Sequence, residues 1–180
     1  MKKLSVSLKE SRFVDLINKK FTCEIRKEDI IGNLQELKPV DIGTSVLWAD
    51  NDLRDGGEYL FTFDDVTDML KDSEWRLPTV LEVEELKRCK KEDLDGKYIF
   101  TNNGTSLIFY PHGFIYGKET AQGPNNDDTV YGWTNDVYKY NNNCINIYLM
   151  GPSLFIVGKN NVIDRNSLLS VRLVKDKKDK

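Results

Sequence analysis

The chain has 180 residues, of which 39% are hydrophobic and 31% are charged, which predicts one domain with a short appendage rather than two full domains. No apolar run approaches the ~20 residues that a membrane helix needs. Lys2 and Lys3 lead into alternating serine and apolar residues, so we expect neither a transmembrane span nor a signal peptide. Three widely spaced cysteines and a single histidine argue against a disulfide scaffold and against a zinc module.

The net charge of −3 is unevenly distributed along the chain. Residues 1–40 carry a net charge of +3 and residues 175–180 carry +2, so the residues between them carry −8. An acidic body repels phosphate backbones, so we expect no nucleic-acid binding by the main domain. The basic ends are typical either of solvated tails or of attachment to an acidic neighbour.

The first 39 residues predict an attachment segment. Leu4, Val6 and Leu8 alternate with polar residues as in a half-buried strand, a short helix can follow Ser11, and a second small strand can follow that helix. Lys38-Pro39 then marks the predicted boundary, because the residue before proline is pushed out of the helical region. We expect residues 1–39 to contact other proteins of an assembly.

Two helices are predicted in the next part of the chain. Four elements follow the boundary: a strand over residues 40–48 with a turn at Gly43, an extended run over residues 59–61, a helix after Thr62 and a helix after Thr79. Thr62 with Asp65, and Thr79 with Glu82, have the spacing of a capping box. The apolar residues after each box recur at helical spacing. The second helix is expected to end in the basic run of residues 87–91, where cations complement the helix dipole.

From Lys97 onward the pattern changes to short β-branched or aromatic runs separated by Asn, Gly, Asp and Pro. The predicted strands cover residues 98–101, 106–110, 113–116, 145–150, 154–157 and 170–174. Two helices between a first strand and a block of strands predict an α+β fold with a mainly antiparallel sheet, rather than a doubly wound fold.

Several segments occur in the order and approximate spacing of a known family. They are VDIGTSVLWAD at residues 40–50, GEYLF at 57–61, Trp75-Arg76-Leu77-Pro78-Thr79, the Asn-Gly-Thr run from residue 103, Tyr131-Gly132-Trp133-Thr134, and Ser170-Val171-Arg172-Leu173-Val174. Over residues 40–174 the chain resembles the Fibrobacter major paralogous domain family. Its Trp-Arg-Leu-Pro-Thr run is similar to the core of the C-terminal domain of Legionella collagen-like protein.

This resemblance implies a C-type-lectin-like fold with two helices, a mixed sheet whose first and last strands pair, and long loops that present ligand contacts. The chain then divides into an attachment segment at residues 1–39, a C-type-lectin-like domain at residues 40–174 and a basic tail at residues 175–180. In such a fold Trp75, Leu77 and Pro78 are expected to be structural, and Arg76 is expected to pair with a buried acid.

Calcium-dependent lectins of this fold complete the six to eight oxygen ligands of the ion with a Glu-Pro-Asn triplet and a Trp-Asn-Asp triplet. Here Gly123 stands in place of the first carboxylate, and Thr134 interrupts the second triplet. We therefore expect no cofactor and no metal. The alternative is a calcium site formed by Asn125, Asp127, Asn135 and Asp136.

Formylglycine-generating enzymes, another branch of the same fold, use cysteines for oxidative chemistry. Here Cys89 lies in the predicted second helix and Cys144 at a strand start, and no pattern places them together. His112 has no neighbouring Ser or Cys, so a nucleophilic triad has no support. We expect no catalytic residues and no enzymatic activity, and an intracellular enzyme of the formylglycine-generating type is the alternative.

Asparagines and aromatic residues are concentrated in the C-terminal half. Ten of the 15 asparagines lie between residues 125 and 166, and 12 of the 19 aromatics lie between residues 98 and 155. Loop turns and sheet faces are one explanation; the other is a binding surface, since antibody-like surfaces use Tyr, Trp and Asn. The predicted ligand-binding residues are Tyr116, Trp133, Asn135, Tyr138, Tyr140, Asn141, Asn142, Asn143, Asn160 and Arg165.

The sequence thus predicts a non-catalytic recognition or assembly module that binds a glycan or protein ligand through its C-terminal-half loops. An adhesin-type fold without a predicted signal peptide is typical of a bacteriophage particle protein. We therefore expect a virion-associated tail or head decoration protein, made in the host cytoplasm and part of an oligomer. A diversified variable protein of a retroelement is a further alternative, because residues 131–166 are rich in Asn and Tyr and residues 170–174 are similar to the closing motif of such proteins.

Overall fold

The structure, a computed structural model, describes residues 34–54, 59–116, 128–153 and 155–178, without the side chains of Lys159 and Asn160. The strands and the helix predicted within residues 4–25 lie outside the described residues. In the described residues the protein has an α+β fold with few helices and with most of its regular structure in three sheets.

The described strands and helices are numbered in chain order. The strands are β1 (Pro39–Val40), β2 (Val46–Ala49), β3 (Leu60–Phe61), β4 (Lys90–Leu94), β5 (Lys97–Asn102), β6 (Thr105–Phe109), β7 (Val130–Val137), β8 (Cys144–Met150), β9 (Phe155–Asp164), β10 (Leu169–Ser170) and β11 (Val174–Asp176). Two helices lie wholly within the described residues, α1 (Phe63–Met69) and α2 (Val80–Glu85); a 3-10 turn (Leu86–Arg88) follows α2, and residues 34–36 are also helical.

Both predicted helix starts are confirmed by their caps. The Thr62 hydroxyl accepts a hydrogen bond from the Asp65 amide at the start of α1. At the start of α2, the Thr79 hydroxyl accepts from the Glu82 amide at 3.2 Å, and Glu82 Oε2 accepts from the Thr79 amide at 2.7 Å. These bonds satisfy amides that have no partner within the helix.

The first sheet has the order β1–β2–β11 and is antiparallel throughout. Val174 of β11 lies opposite Trp48 of β2, so the last strand pairs with the predicted first strand of the main domain. The turn between β1 and β2 contains Gly43 at φ +82°, a left-handed conformation that is open to glycine at no steric cost.

The second sheet has the order β3–β10–β7–β8–β9. β10 runs parallel to β7, and the other neighbouring pairs are antiparallel. The prediction missed β7, because Gly132, Asn135 and Asp136 interrupt its β-branched pattern. Residues 113–116, predicted as a strand, form only one isolated bridge, between Ile115 and Leu168.

The third sheet is the antiparallel meander β4–β5–β6. Its turns, Asp95-Gly96 and Asn103-Gly104, have positive φ at both residues, as in the tight hairpin turns that match strand twist. The predicted basic end of the second helix is found only in part: α2 ends at Glu85, the 3-10 turn that continues it carries Lys87 and Arg88, and Lys90 and Lys91 begin β4.

Apolar side chains form two core clusters among the described residues. The first cluster includes Trp48, Tyr98, Phe109 and Tyr148, and the second includes Trp75, Leu77, Trp133 and Leu173. The burial predicted for Trp75 and Leu77 is confirmed, with 7% and 2% exposure. Each such side chain contributes about 1.5–3 kcal/mol of hydrophobic stabilisation.

Packing crosses both of the predicted segment boundaries. Leu34 and Leu37, which the prediction assigned to the attachment segment, pack against the second core cluster. Pro39 pairs with Ala49 in the first sheet. At the other boundary, Lys175 and Asp176 belong to β11 and not to a tail.

Candidate ligand-binding surface

The turn between β7 and β8 contains five of the predicted ligand-binding residues, Tyr138 and Tyr140 with Asn141, Asn142 and Asn143. The Tyr138 amide donates to the Cys144 carbonyl at 2.8 Å, and the Cys144 amide donates to the Asn141 carbonyl at 3.0 Å. The Asn141 side chain accepts from the Asn143 amide at 3.0 Å, as in an Asx turn. The side chains of this turn therefore project from a well-bonded backbone.

Arg165, which follows β9, joins this turn to the start of α1. Its amide donates to the Asn143 carbonyl at 2.9 Å, and its Nη1 donates to the Asn142 carbonyl at 3.5 Å. Its Nε donates to Asp64 Oδ1 at 2.9 Å, and its Nη2 pairs with the same oxygen. We call Tyr138, Tyr140, Asn141, Asn142, Asn143 and Arg165 the two-turn surface.

Tyr140 is the most exposed aromatic residue of the two-turn surface, with 74% exposure. Its ring meets that of Tyr138 edge to face, with centroids 5.4 Å apart. The Nζ of Lys139 lies 4.5 Å from the Tyr140 ring centroid, within the range of a cation–π contact. Because the asparagines at 141–143 are also exposed, aromatic faces and amide groups lie side by side at the surface.

Trp133 does not contribute to this surface, contrary to the prediction. It is fully buried, and its Nε1 donates to the Phe61 carbonyl at 2.8 Å. Its ring meets the ring of Phe63 edge to face at 5.7 Å. The side chain is therefore a core anchor that holds β3 and the start of α1 against β7.

The other three predicted ligand-binding residues are not part of the two-turn surface. Asn135 is exposed on β7, and its amide donates to the Pro78 carbonyl at 2.8 Å. Tyr116 is 61% exposed and follows the bridge between Ile115 and Leu168. The side chain of Asn160, in β9, lies outside the described residues.

A bulge in β7 joins the strand to the start of α2. Between the pairs Trp133–Ile147 and Val137–Ile145 the register shifts. The Thr134 hydroxyl donates to the Asn146 carbonyl at 2.6 Å, and the Asn146 amide group donates to the Asp136 carbonyl at 2.9 Å. Asp136 Oδ2 then accepts from the Val80 amide at 2.6 Å, where a carboxylate is favoured by the helix dipole.

The calcium alternative rests on residues that the structure shows only in part. Asn125 and Asp127 lie outside the described residues, and the Asp136 carboxylate already accepts the Val80 amide. No group of three or more His, Cys, Asp or Glu side chains arranged to hold a metal is found in the described part of the chain. The calcium site stays an untested alternative to the prediction that no metal is bound.

A buried ion pair, which the sequence analysis did not predict, joins Arg172 to Asp52. Their side chains are 0% and 5% exposed, and Arg172 Nε lies 2.7 Å from Asp52 Oδ1. Nη1 donates to the Ala49 carbonyl at 2.9 Å and Nη2 to the Ile108 carbonyl at 2.5 Å. The guanidinium also lies 4.6 Å from the Phe109 ring centroid. The sequence signal that could have indicated this ion pair is a charged residue, Arg172, inside the apolar run VRLV, because a buried charge needs a partner.

His112 extends this ion pair toward the surface. Its Nε2 lies 3.3 Å from Asp52 Oδ2, and its ring stacks on Tyr59 with centroids 4.3 Å apart. Burial raises the pKa of Asp52, but the charge of Arg172 and the contact with His112 outweigh it, so the pKa lies below its ordinary value. Asp52 is therefore held as a carboxylate.

Arg76 pairs with an acid that is largely buried, as predicted. Its Nη1 and Nη2 donate to the two carboxylate oxygens of Glu82 at 2.9 and 2.6 Å, and the Glu82 side chain is 13% exposed. Nη2 also donates to Asp176 of β11 at 2.6 Å. Arg76 thus ties the start of α2 to the last strand.

The described cysteines, Cys89 and Cys144, are both free and half-buried. Burial raises the pKa of the Cys89 thiol, which disfavours the reactive thiolate. The described contacts of His112 are with Asp52, Tyr59 and Tyr110, and neither of these cysteines is within hydrogen-bond reach of it. A Cys–His pair, which would have favoured the enzyme alternative, is not formed by these residues.

Comparison of the chain with family models, with curated proteins and with solved structures finds no match. The resemblance inferred from the motifs therefore stays a prediction. Among the described residues, no helix is long and apolar enough to cross a membrane.

Proposed function

We propose that the protein is a non-catalytic recognition or assembly module that binds a glycan or protein ligand through the two-turn surface. The observation that carries this proposal is the exposed Tyr140 ring beside the exposed asparagines of a well-bonded turn. Tyr presents a large amphipathic face at low entropic cost, and Asn amides donate and accept hydrogen bonds. Both groups suit the polar and apolar faces of a sugar ring.

The fixed backbone of the turn supports a role in binding. Hydrogen bonds within residues 138–144 and to Arg165 hold the turn before any ligand arrives. A surface that is ordered in advance loses less conformational entropy when it binds. Arg165 is a positioning residue in this proposal, because its donors are occupied by Asp64 and by the turn.

We propose a C-type-lectin-like arrangement for the domain. Two capped helices, the pairing of β11 with β2 and the burial of Trp75 and Leu77 support this proposal. The location on a bacteriophage particle and the attachment role of residues 1–39 stay predictions. Mass spectrometry of purified particles would test the location.

A glycan array with three proteins tests the binding proposal: wild type, Tyr140→Ala and the control Tyr110→Ala. Tyr110 is also exposed, at 38%, but follows β6 in the third sheet. We expect Tyr140→Ala to weaken binding at least about tenfold, as for an aromatic anchor, and Tyr110→Ala to bind as wild type does. If the ligand is a protein, mass measurement of the native assembly formed by each of the three proteins provides the same comparison. A ligand that binds all three proteins equally would contradict the proposal.

A further inference from the structure

Two buried hydroxyl groups in the second sheet have no hydrogen-bond partner among the described residues. They are Tyr148 Oη on β8 and Ser170 Oγ on β10, and both residues are fully buried. Buried polar groups are nearly always hydrogen-bonded, to protein or to ordered water. Two such hydroxyls in one sheet therefore call for a physical explanation.

The two hydroxyls lie in the same row across the sheet. Gly132 of β7 is the register partner of Tyr148 on one side and of Ser170 on the other. Side chains of register partners project from the same face of a sheet. The row therefore places the Tyr148 and Ser170 side chains on one face, with Gly132 between them.

The Tyr148 side chain reaches across β7 at this glycine. A Cβ atom built on Gly132 would overlap Cζ and Oη of Tyr148, so the phenol occupies the space that a side chain at residue 132 would take. Its hydroxyl thus lies over β7, and Ser170 is one strand spacing, about 4.8 Å, further on. Neither oxygen has a described hydrogen-bond partner, so the two do not bond each other directly, and a water molecule with two hydrogen bonds of about 2.8 Å can bridge groups that are one strand spacing apart.

We propose that this row holds one ordered water molecule, which bridges Tyr148 Oη and Ser170 Oγ across Gly132. Water fits because it is neutral and both donates and accepts, as the two hydroxyls do. The charges of Asp52 and Arg172 also act on the Tyr148 hydroxyl, although burial is the larger cause and raises its pKa. The bridge joins β8 to β10 over the glycine and gives position 132 a reason to lack a side chain.

Urea unfolding of Tyr148→Phe, Ser170→Ala and the double variant tests the bridge. If the water is bound, each single substitution deprives it of a partner, and we expect the folding equilibrium constant to fall several-fold. In the double variant the folding equilibrium constant is expected to fall by less than the product of the two single-variant factors, because the shared water is lost only once. Hydroxyls without a partner would give the opposite result: removing either would leave the equilibrium constant unchanged or raise it, and that result would overturn the proposal.

Tyr98→Phe is the matched control, because Tyr98 is equally buried and its hydroxyl donates to the Asp128 carbonyl. The loss of stability in Tyr98→Phe gives the size of the effect expected when a hydrogen-bonded tyrosine hydroxyl is removed. A crystal structure of the wild-type protein provides the direct test, which does not depend on any variant folding. We expect a water peak within hydrogen-bond distance of both oxygens. A direct bond between the two hydroxyls, or a space without solvent density, would refute the bridge.

Discussion

Replacement of Arg172 by methionine is expected to cause a large loss of stability. The substitution keeps an unbranched side chain of similar length but removes the charge and every donor. Among the described residues, it leaves the Asp52 carboxylate, 5% exposed, with His112 as its remaining side-chain partner. It also leaves the Ala49 and Ile108 carbonyls without the bonds that Nη1 and Nη2 supply.

The magnitude follows from the burial of the remaining charge. Removing one partner of a buried ion pair costs about 3–5 kcal/mol, because the other charge stays buried without compensation. The total stability of a domain is about 5–15 kcal/mol, so a large share of it is lost. For a chain of this size each 1 kcal/mol lowers Tm by about 2–4 °C, so we expect a fall of about 6–20 °C.

Urea denaturation followed by tryptophan fluorescence measures this loss. Arg165→Met is the matched control, because Arg165 also pairs with an aspartate but both side chains are partly exposed, at 32% and 53%. An exposed pair contributes about 0–1 kcal/mol. The double variant Asp52→Leu/Arg172→Met is expected to be more stable than Arg172→Met alone, since no unpaired charge remains. An Arg172→Met protein no less stable than the Arg165→Met control would refute the reasoning.

Three further outcomes are expected. Thr79→Ala removes the hydroxyl of the capping box with Glu82 and should lower the free energy of unfolding by about 1 kcal/mol, measured by urea denaturation. Gly132→Ala places a Cβ atom against the Tyr148 phenol and should destabilise by about 1–3 kcal/mol or more, whereas an unchanged Tm would contradict the close approach. The pKa of Asp52 is lower in the folded than in the unfolded protein, so its contribution to stability is present above pH 3.8 and is lost as the pH falls below that value; the free energy of unfolding of Asp52→Asn, measured by urea denaturation at a series of acidic pH values, should therefore fall less steeply with decreasing pH than that of the wild type.

Local features of the fold were predictable from the sequence because short-range chemistry sets them. The Thr62 cap and the Thr79 capping box satisfy helix amides within three residues, and the Asn103-Gly104 turn lies between two predicted strands. The missed strand β4 reads KKEDL; four of its five residues are exposed, and it lies at an edge of the third sheet. Its apolar pattern is too weak for a strand prediction, but Asp95-Gly96 after it is a hairpin signal that could have revealed it.

The site was predictable only in part, for reasons of tertiary packing. The asparagine-rich turn at residues 141–143 is exposed, as its composition suggests. Trp133 is buried because α1 and β3 pack over its side of β7. The sequence around Trp133 does not indicate that these two elements pack there. The pairing of Arg172 with Asp52 spans 120 residues, a distance at which spacing in a single sequence gives no information.

The pairing of β11 with β2 has a consequence for the order in which the protein forms. Trp48 and Val174 are register partners, and Arg172 bonds the Ala49 carbonyl 123 residues earlier. Until residues 172–176 have been synthesised, one edge of β2 is unpaired and Asp52 lacks its ion-pair partner Arg172. Contacts of such long separation make folding slow, and an open edge can pair with other chains. Chaperone protection of the nascent chain should therefore matter most before the last strand is made.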